Sequence, residues 1–316
     1  MLVLTNMYPT ASEPWLGCFV ADQVDDLRRL GVEIAVLAFD ARPRNREYVA
    51  AVPRLRRALR EEHYDIVHAH YGLSGAVACT QLQTTTVTTF HGSDVWIPWQ
   101  RTVSRVVARR THAIAVAPVV RAALGLDDAP IIPCAVDLDL FTPRDQVAAR
   151  RALGWPEQGL CVLFPAARGE RKKVGNKRAD VFDATVAHLR RRRPDTFGVS
   201  LDGLSRTEVA LAMNAADATL LTSMREGAPI AVKESLACGT PVVSVAVGDV
   251  PGLIAGLPGC AVVPRDPDAL ATAVRNAAEA RHDVRLCDAV VTFGRAEIAR
   301  RILGFYERVA PRRSQR

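Results

Sequence analysis

Two glutamates, Glu226 and Glu234, are the side chains whose type and spacing speak first of chemistry. They stand in Thr222-Ser-Met-Arg-Glu-Gly-Ala-Pro-Ile-Ala-Val-Lys-Glu-Ser-Leu-Ala-Cys-Gly-Thr-Pro-Val-Val-Ser. A strand is predicted to end near Thr222, a turn to hold Glu226 and Gly227, and a helix to begin at Pro229, whose fixed φ suits a first helical position. The backbone N–H groups of Gly227, Ala228 and Ile230 then point out of a helix N-terminus, where unpaired amides and the helix dipole favour an anion. Glu226 before this helix and Glu234 about one turn inside it cannot both be phosphate ligands. Carboxylates there suit hydroxyl groups, such as those of a sugar and a ribose flanking a pyrophosphate. The plainer alternative makes Glu226 a carboxylate favoured by the dipole and Glu234 a solvated helix residue.

Other segments carry weaker signals. The loop Ala166-Ala-Arg-Gly-Glu-Arg-Lys-Lys-Val-Gly-Asn-Lys-Arg is densely basic, with Arg168, Arg171 and Lys177 among its cations. Taken alone it reads equally as a solvated surface loop. Its Gly169–Lys177 stretch lacks the Ser/Thr that follows a P-loop lysine, and no G-x-G-x-x-G follows the first strand, which counts against an NAD or FAD site. His91, in Phe90-His-Gly-Ser-Asp after a threonine-rich strand, falls at a strand's carboxyl end, although a lone histidine is more often structural. Asp137-Leu-Asp139 and Asp266-Pro-Asp268 match a D-x-D metal pattern. The first reads better as a packing element and the second as a helix cap at Asp266. His68-Ala-His70 with His91 and Asp94 has the composition of a zinc set, but nothing in the second half calls for a metal, and none is expected.

The elements that must position these residues alternate. Strands are predicted at Leu2–Thr5, Val32–Leu37, Asp65–His68, Thr84–Phe90, Ala113–Val116 and Ile131–Ile132. Helices are predicted at Gly17–Leu30 and Val49–Glu62. After a charged segment near residues 144–155 a second series begins. It has strands Leu160–Pro165, Ala218–Thr222, Pro241–Val245 and Cys260–Val263, with helices at Ala179–Arg193, from Pro229, and at Asp268–Ala280. Strand–helix alternation of this length gives parallel α/β sheets. The expected organisation is a first domain over 1–150, a second over 151–294, and a helix from 295 that returns to the first domain before a basic tail. Between the Arg190–Arg193 run and Glu208 there is little room for a further strand and helix.

Composition agrees. With 316 residues, 49% apolar and 24% charged, the chain has the make-up of a globular protein of about two domains. The net charge is 41 − 34 = +7, carried almost wholly by arginine, since only Lys172, Lys173, Lys177 and Lys233 are lysines. The basic residues are dispersed, which argues against nucleic acid as a partner. Arg54, Arg56, Arg57 and Arg60 on one predicted helix, and Arg101, Arg105, Arg109 and Arg110 on another, suit either solvent or an anionic membrane surface. Seven cysteines with no C-x-x-C pair fit reduced core thiols. The N-terminus lacks the features of a secretory signal, and the weakly charged stretch Ser235–Val263 holds five glycines and three prolines. A cytoplasmic protein is expected.

The block Ser223-Met-Arg-Glu-Gly-Ala-Pro-Ile-Ala-Val-Lys-Glu-Ser-Leu-Ala-Cys-Gly-Thr-Pro-Val-Val, with its E-x7-E spacing, resembles the donor-site signature of the retaining glycosyltransferases of family 4. The likeness extends along the chain through Asn6-Met-Tyr-Pro with Gly17-Cys-Phe-Val, Asp65-Ile-Val-His-Ala-His-Tyr-Gly, Phe90-His-Gly-Ser-Asp, Pro133-Cys-Ala-Val-Asp-Leu-Asp-Leu-Phe-Thr-Pro and Met213-Asn-Ala-Ala-Asp-Ala. The chain is similar to bacterial cell-envelope enzymes such as the teichuronic acid biosynthesis glycosyltransferases, and the resemblance puts the acceptor on the side of the first domain. The resemblance implies the GT-B fold, two Rossmann-like domains facing across a cleft, and glycosyl transfer with retention and without a metal or other cofactor. It implies a nucleotide-sugar donor, a UDP-sugar first, and a glycan or lipid-linked acceptor, in cell-envelope or exopolysaccharide synthesis at the inner face of the membrane. By the same likeness Glu234 would bind the ribose hydroxyls, Glu226 the transferred sugar, and the Gly227–Ile230 turn, including Ala228 and Pro229, the pyrophosphate. Lys177, with Arg168 or Arg171, would neutralise the leaving diphosphate; His91 would contact the sugar near its reacting carbon, and Gly17 would admit the diphosphate close to the backbone. Two other readings of the residues remain open: a non-catalytic relative that binds nucleotide-sugar, and a sugar-nucleotide epimerase on the same fold.

Overall fold

The computed structural model of the chain describes residues 1–42, 45–166, 175–279 and 283–310. It divides into two units, one formed by Met1–Ala135 with Arg295–Arg316 and the other by Val136–Gly294. The first unit holds a five-stranded sheet of β1 (Leu2–Thr5), β2 (Ala35–Ala38), β3 (Ile66–His70), β4 (Thr85–Phe90) and β5 (His112–Ala115). All its pairings are parallel and its order is β2-β1-β3-β4-β5. The second holds β6 (Cys161–Phe164), β7 (Phe197–Ser200), β8 (Ala218–Leu221), β9 (Val242–Ser244) and β10 (Ala261–Val262). Its strands are parallel too, ordered β7-β6-β8-β9-β10. The two units therefore repeat one topology. In each, the order reverses once, between β1 and β3 and between β6 and β8, and ligands of open α/β sheets bind outside the carboxyl ends at such a reversal.

Alternation along the strands explains how both faces are covered. Leu2 and Leu4 of β1 and Val67 and Ala69 of β3 pack with Ala51 and Leu55 of helix Arg46–Glu61. Val3 points the other way, onto Val20 and Val24 of helix Cys18–Arg29. On that side lie also Ile66, Val87 and Ile114, joined by Ile298, Ile302, Phe305 and Tyr306 of helix Arg295–Val309. This last helix is anchored at its start, where the Arg295 guanidinium lies 2.8 Å from Asp26 and 3.3 Å from Asp22. The second core is continuous, built from Val162, Phe164, Leu220, Val232, Leu236, Val243, Leu270 and Val274 among others.

Three sequence expectations need correction. The divide falls at Val136, not near residue 150. Helix Gln146–Ala152 belongs to the second unit because the buried Arg150 guanidinium donates to Asp217 at 2.8 Å and to the carbonyls of Ala215, Glu157 and Gly159. The stretch judged too short before Glu208 does hold a strand, β7, and most of the turn into helix Arg206–Ala215. Four residues suffice for a strand, and a capping box between Ser205 and Glu208 starts the helix at once. Finally, Ile131 makes only an isolated bridge to Ala115, so no sixth strand forms there.

Candidate functional site

In the second unit the site residues gather where the strand order reverses. Beyond β8, the buried Thr222 hydroxyl donates to the carbonyls of Lys177 and Arg178 at 2.9 and 3.0 Å. The Met224 N–H donates to the Asn176 carbonyl at 2.6 Å, and the Asn176 amide donates to the Arg225 carbonyl at 2.7 Å. These bonds tie the approach to helix Ala179–Arg192 to the loop after β8, and they bring Lys177 Nζ within 3.0 Å of Glu226 Oε1. The helix after Glu226 runs Ile230–Ala237, so Pro229 precedes it as the cap and does not open it. The Pro229 carbonyl accepts from the Val232 N–H at 3.2 Å, which leaves the amides of Ile230 and Ala231 ahead of the first helical bond. Asp249 donates its N–H to the Gly227 carbonyl at 3.1 Å, and a Cβ on Gly248 would lie 2.4 Å from that same oxygen. The Glu226–Gly227 turn is thus held from two sides.

Glu234 is not a solvated helix residue. It is 4% exposed, and its carboxylate pairs with the guanidinium of Arg206, which lies 4.7 Å above the Phe141 ring. Beside it, the fully buried Lys233 reaches Asp249 Oδ2 at 3.3 Å and sits 5.0 Å over the Phe293 ring. Arg168 and Arg171 lie outside the described residues. Sequence reasoning missed Arg206, although the Ser205-x-x-Glu208 capping box marks a helix start and so sets Arg206 just beyond a strand end.

In the first unit the corresponding strand ends carry the Gly17 turn, buried histidines and a buried aspartate. Gly17 has φ +63°, and a Cβ there would lie 2.5 Å from the Met7 carbonyl oxygen, so the backbone after β1 itself demands glycine. His91 follows β4 and is buried. Its backbone N–H donates to Asp94 Oδ2 at 3.1 Å, and that oxygen also accepts from Gly72 at 3.2 Å. The His91 ring lies between Tyr71 and Phe19, with centroids at 4.5 and 5.1 Å. Tyr71 carries φ +75°, a conformation that a non-glycine residue adopts only when its surroundings force it. His91 Nε2 is 3.3 Å from His70 Nδ1, and His91 Nδ1 is 3.8 Å from Cys134 Sγ. His68 is satisfied separately, by the Tyr306 hydroxyl at 2.5 Å and the Thr89 hydroxyl at 2.8 Å.

Burial sets the protonation of this cluster. It holds His68 and His91 well below the ordinary histidine range and His70 at about 3, so all three are neutral near pH 7. Burial pushes Asp94 the other way, up to about 7, against the lowering effect of the N–H groups it accepts. Each D-x-D segment uses its first carboxylate locally. Asp137 accepts from the amides of Asp139 and Leu140, and Asp266 accepts from Ala269 in the first turn of helix Pro267–Glu279. Among the described residues, no three His, Cys, Asp or Glu side chains are arranged to hold a metal ion.

Two Rossmann-like units of one topology, with Lys177, Glu226 and Glu234 gathered at the strand-order reversal of the second, define a protein of the GT-B fold class. Residues 13–140 match the family model described as Glycosyltransferase Family 4, and residues 161–280 match Glycosyl transferases group 1. The chain belongs to glycosyltransferase family 4. Among curated relatives, the D-inositol 3-phosphate glycosyltransferase of Geodermatophilus obscurus is 29% identical, over 72% of this chain and 62% of that protein. The enzyme of the same name from Mycobacterium leprae is 30% identical, over 65% and 58%. This chain therefore spans 62% or less of the length of these two relatives. Sucrose-phosphate synthase from Thermosynechococcus elongatus shares the fold with a TM-score of 0.77 at 17% identity, covering 97% of this chain and 98% of that one. Anabaena HepE, solved with UDP and glucose, gives a TM-score of 0.71 at 15% identity, covering 97% and 99%.

Proposed function

We propose that this chain transfers a sugar from a nucleotide-sugar, a UDP-sugar in the first instance, to a hydroxyl group of a glycan or lipid-linked acceptor. The transfer proceeds with retention and without a metal. One observation carries the reading: Lys177 and Glu226 meet at the strand-order reversal of the second unit, directly before a helix N-terminus, with Glu234 buried one turn further on. A departing nucleoside diphosphate gains negative charge as the bond breaks, and fixed cations and amides stabilise that charge as it develops. Lys177 and the amides of Gly227, Ala228 and Ile230, on the turn set by Pro229, supply this, aided by Arg168 or Arg171. Glu226 takes hydroxyls of the sugar and Glu234 those of the ribose. To the first unit we assign contact of His91 with the sugar near its reacting carbon, and of the Gly17 loop with the diphosphate. The bond from sugar carbon to phosphate oxygen breaks and the bond from acceptor oxygen to that carbon forms on the same face. The acceptor proton passes to the departing phosphate oxygen.

HepE, solved with UDP and glucose, supports the donor class, and the curated relatives, named for an inositol phosphate, support a hydroxyl acceptor. A cytoplasmic place at an anionic inner membrane face, in envelope or exopolysaccharide synthesis, suits the exposed arginines of helices Arg46–Glu61 and Pro98–Ala108. No helix of the described residues is long and apolar enough to cross a membrane. The test is thermal stabilisation by UDP, GDP, ADP and NAD, without and with Mg²⁺. A nucleotide at a hundredfold excess over Kd stabilises by about 2.7 kcal/mol. A metal-independent shift with UDP or GDP alone is expected, and no shift with any nucleotide refutes the donor site. Glu234→Ala should abolish the shift, whereas Glu226→Ala should leave it while abolishing transfer.

A further inference from the structure

His91 is fixed at every point except one. Asp94 holds its backbone N–H, Tyr71 and Phe19 pack against its ring at tilted angles, and His70 holds Nε2. Among the described residues, Nδ1 has as its neighbour the thiol of half-buried Cys134 at 3.8 Å, a weak hydrogen-bonding partner that a substrate oxygen can displace. Whether Nδ1 donates or accepts is decided elsewhere. The Gln23 side-chain nitrogen lies 3.5 Å from His70 Nε2, and an amide nitrogen can only donate. His70 Nε2 is then the acceptor, and the single proton of this neutral ring sits on Nδ1. From there it donates to His91 Nε2, and the proton of neutral His91 is left on Nδ1.

We infer that Gln23 and His70 are positioning residues that lock His91 as the Nδ1–H tautomer, so that His91 acts as a hydrogen-bond donor toward an oxygen of the transferred sugar. The inference rests on the proposed contact between His91 and that sugar. The partners come from two different elements, Gln23 from helix Cys18–Arg29 and His70 from the end of β3. Both flank β1, so the relay crosses the strand-order reversal of the first unit. The neutrality of the three buried histidines agrees with it, because a protonated ring would place two donors face to face.

The decisive measurement is long-range ¹H–¹⁵N correlation of the histidine rings in the full chain at pH 8, with His91→Ala assigning the resonances. His91 is expected to carry its proton on Nδ1; a proton on Nε2 overturns the inference. Gln23→Glu replaces the donor by an acceptor and should invert the relay, moving the His91 proton to Nε2, and an unmoved proton also overturns it. Activity is read as UDP release from UDP-glucose. Gln23→Glu and His70→Leu should lower kcat roughly a hundredfold, as loss of one aimed donor does, with UDP affinity unchanged. His70→Asn, whose amide nitrogen can replace Nδ1, should restore most of it. If His91→Ala keeps full turnover, the assignment of His91 to the sugar fails. If His91→Ala is inactive while Gln23→Glu turns over like the wild type, that assignment stands and the relay fails.

Discussion

Acidification should pull His70 and Asp94 in opposite directions, and two variants separate them. Burial holds His70 at about 3, below the ordinary 6.5. The unfolded chain therefore takes up that proton first, and the contribution of His70 to stability is full above pH 6.5 and falls as pH drops toward 3. Burial holds Asp94 at about 7, above the ordinary 3.8. Here the folded state binds the proton first, so the contribution is full below 3.8 and is lost as pH rises through 7. Between pH 7 and pH 5, the ratio of folded to unfolded proton binding gives a loss of about 2 kcal/mol from His70 and a gain of about 2 kcal/mol from Asp94. The two nearly cancel, while His68 and His91, also lowered by burial, add losses of the same sign as His70. Urea unfolding followed by tryptophan fluorescence suits the test, because Trp15, Trp96 and Trp99 lie in the first unit. Over that pH interval His70→Asn should lose about 2 kcal/mol less than the wild type, and Asp94→Asn about 2 kcal/mol more. Equal pH dependence in all three proteins would refute the burial argument, and so would a reversed order.

Other expectations concern the backbone and the buried charges. Gly17→Ala sets a side chain at positive φ against the Met7 carbonyl and should destabilise by about 2 kcal/mol or more in urea unfolding; a change below about 0.5 kcal/mol would mean that the loop yields freely. Gly248→Ala drives a Cβ into the Gly227 carbonyl and should weaken UDP binding measured by calorimetry, whereas unchanged affinity would show that the Glu226–Gly227 turn does not need this support. Lys233→Ala leaves the Asp249 carboxylate without its buried cation and should cost on the order of 3 kcal/mol in thermal or urea unfolding. A near-neutral result would show that water replaces the ammonium.

The residues made the regular elements legible because period and burial coincide in them. Strand β1 spans Leu2–Thr5 and the last helix Arg295–Val309, both as the apolar spacing predicts. Strand β7 was not legible, since Phe197-Gly-Val-Ser has weak alternation and follows a run of arginines. The divide at Val136 was hidden for a different reason: the Arg150–Asp217 pair joins residues 67 positions apart, which local pattern does not report. At the site, Glu226 and Lys177 stand out by their motifs, but the bonds that join them run between two loops 49 positions apart. His68, His70 and His91 were visible as a set without being interpretable. A metal cluster and a hydrogen-bond relay both put imidazoles at adjacent strand ends, and the difference lies in Tyr306, 238 positions from His68, and Gln23, 47 positions from His70.

The two units solve the same topology with opposite electrostatics, and that contrast bears on the division of labour. Around the reversal of β6 and β8, basic and acidic side chains stand in pairs: Lys177 with Glu226, Arg206 with Glu234, Lys233 with Asp249. On the proposed reading, a diphosphate arriving there would exchange one set of charge contacts for another, so binding can be strong without burying a lone charge. Around β3 and β4 three neutral imidazoles and one half-protonated carboxyl at neutral pH leave no fixed charge of comparable strength. A cation placed beside the reacting carbon would raise the energy of the positive charge that builds on the sugar as its bond to phosphate breaks. On the proposed reading, a neutral Nδ1–H donor would orient a sugar oxygen without that penalty, which gives a chemical reason for burying His91 among uncharged rings while the pairs Lys177–Glu226, Arg206–Glu234 and Lys233–Asp249 stand in the second unit.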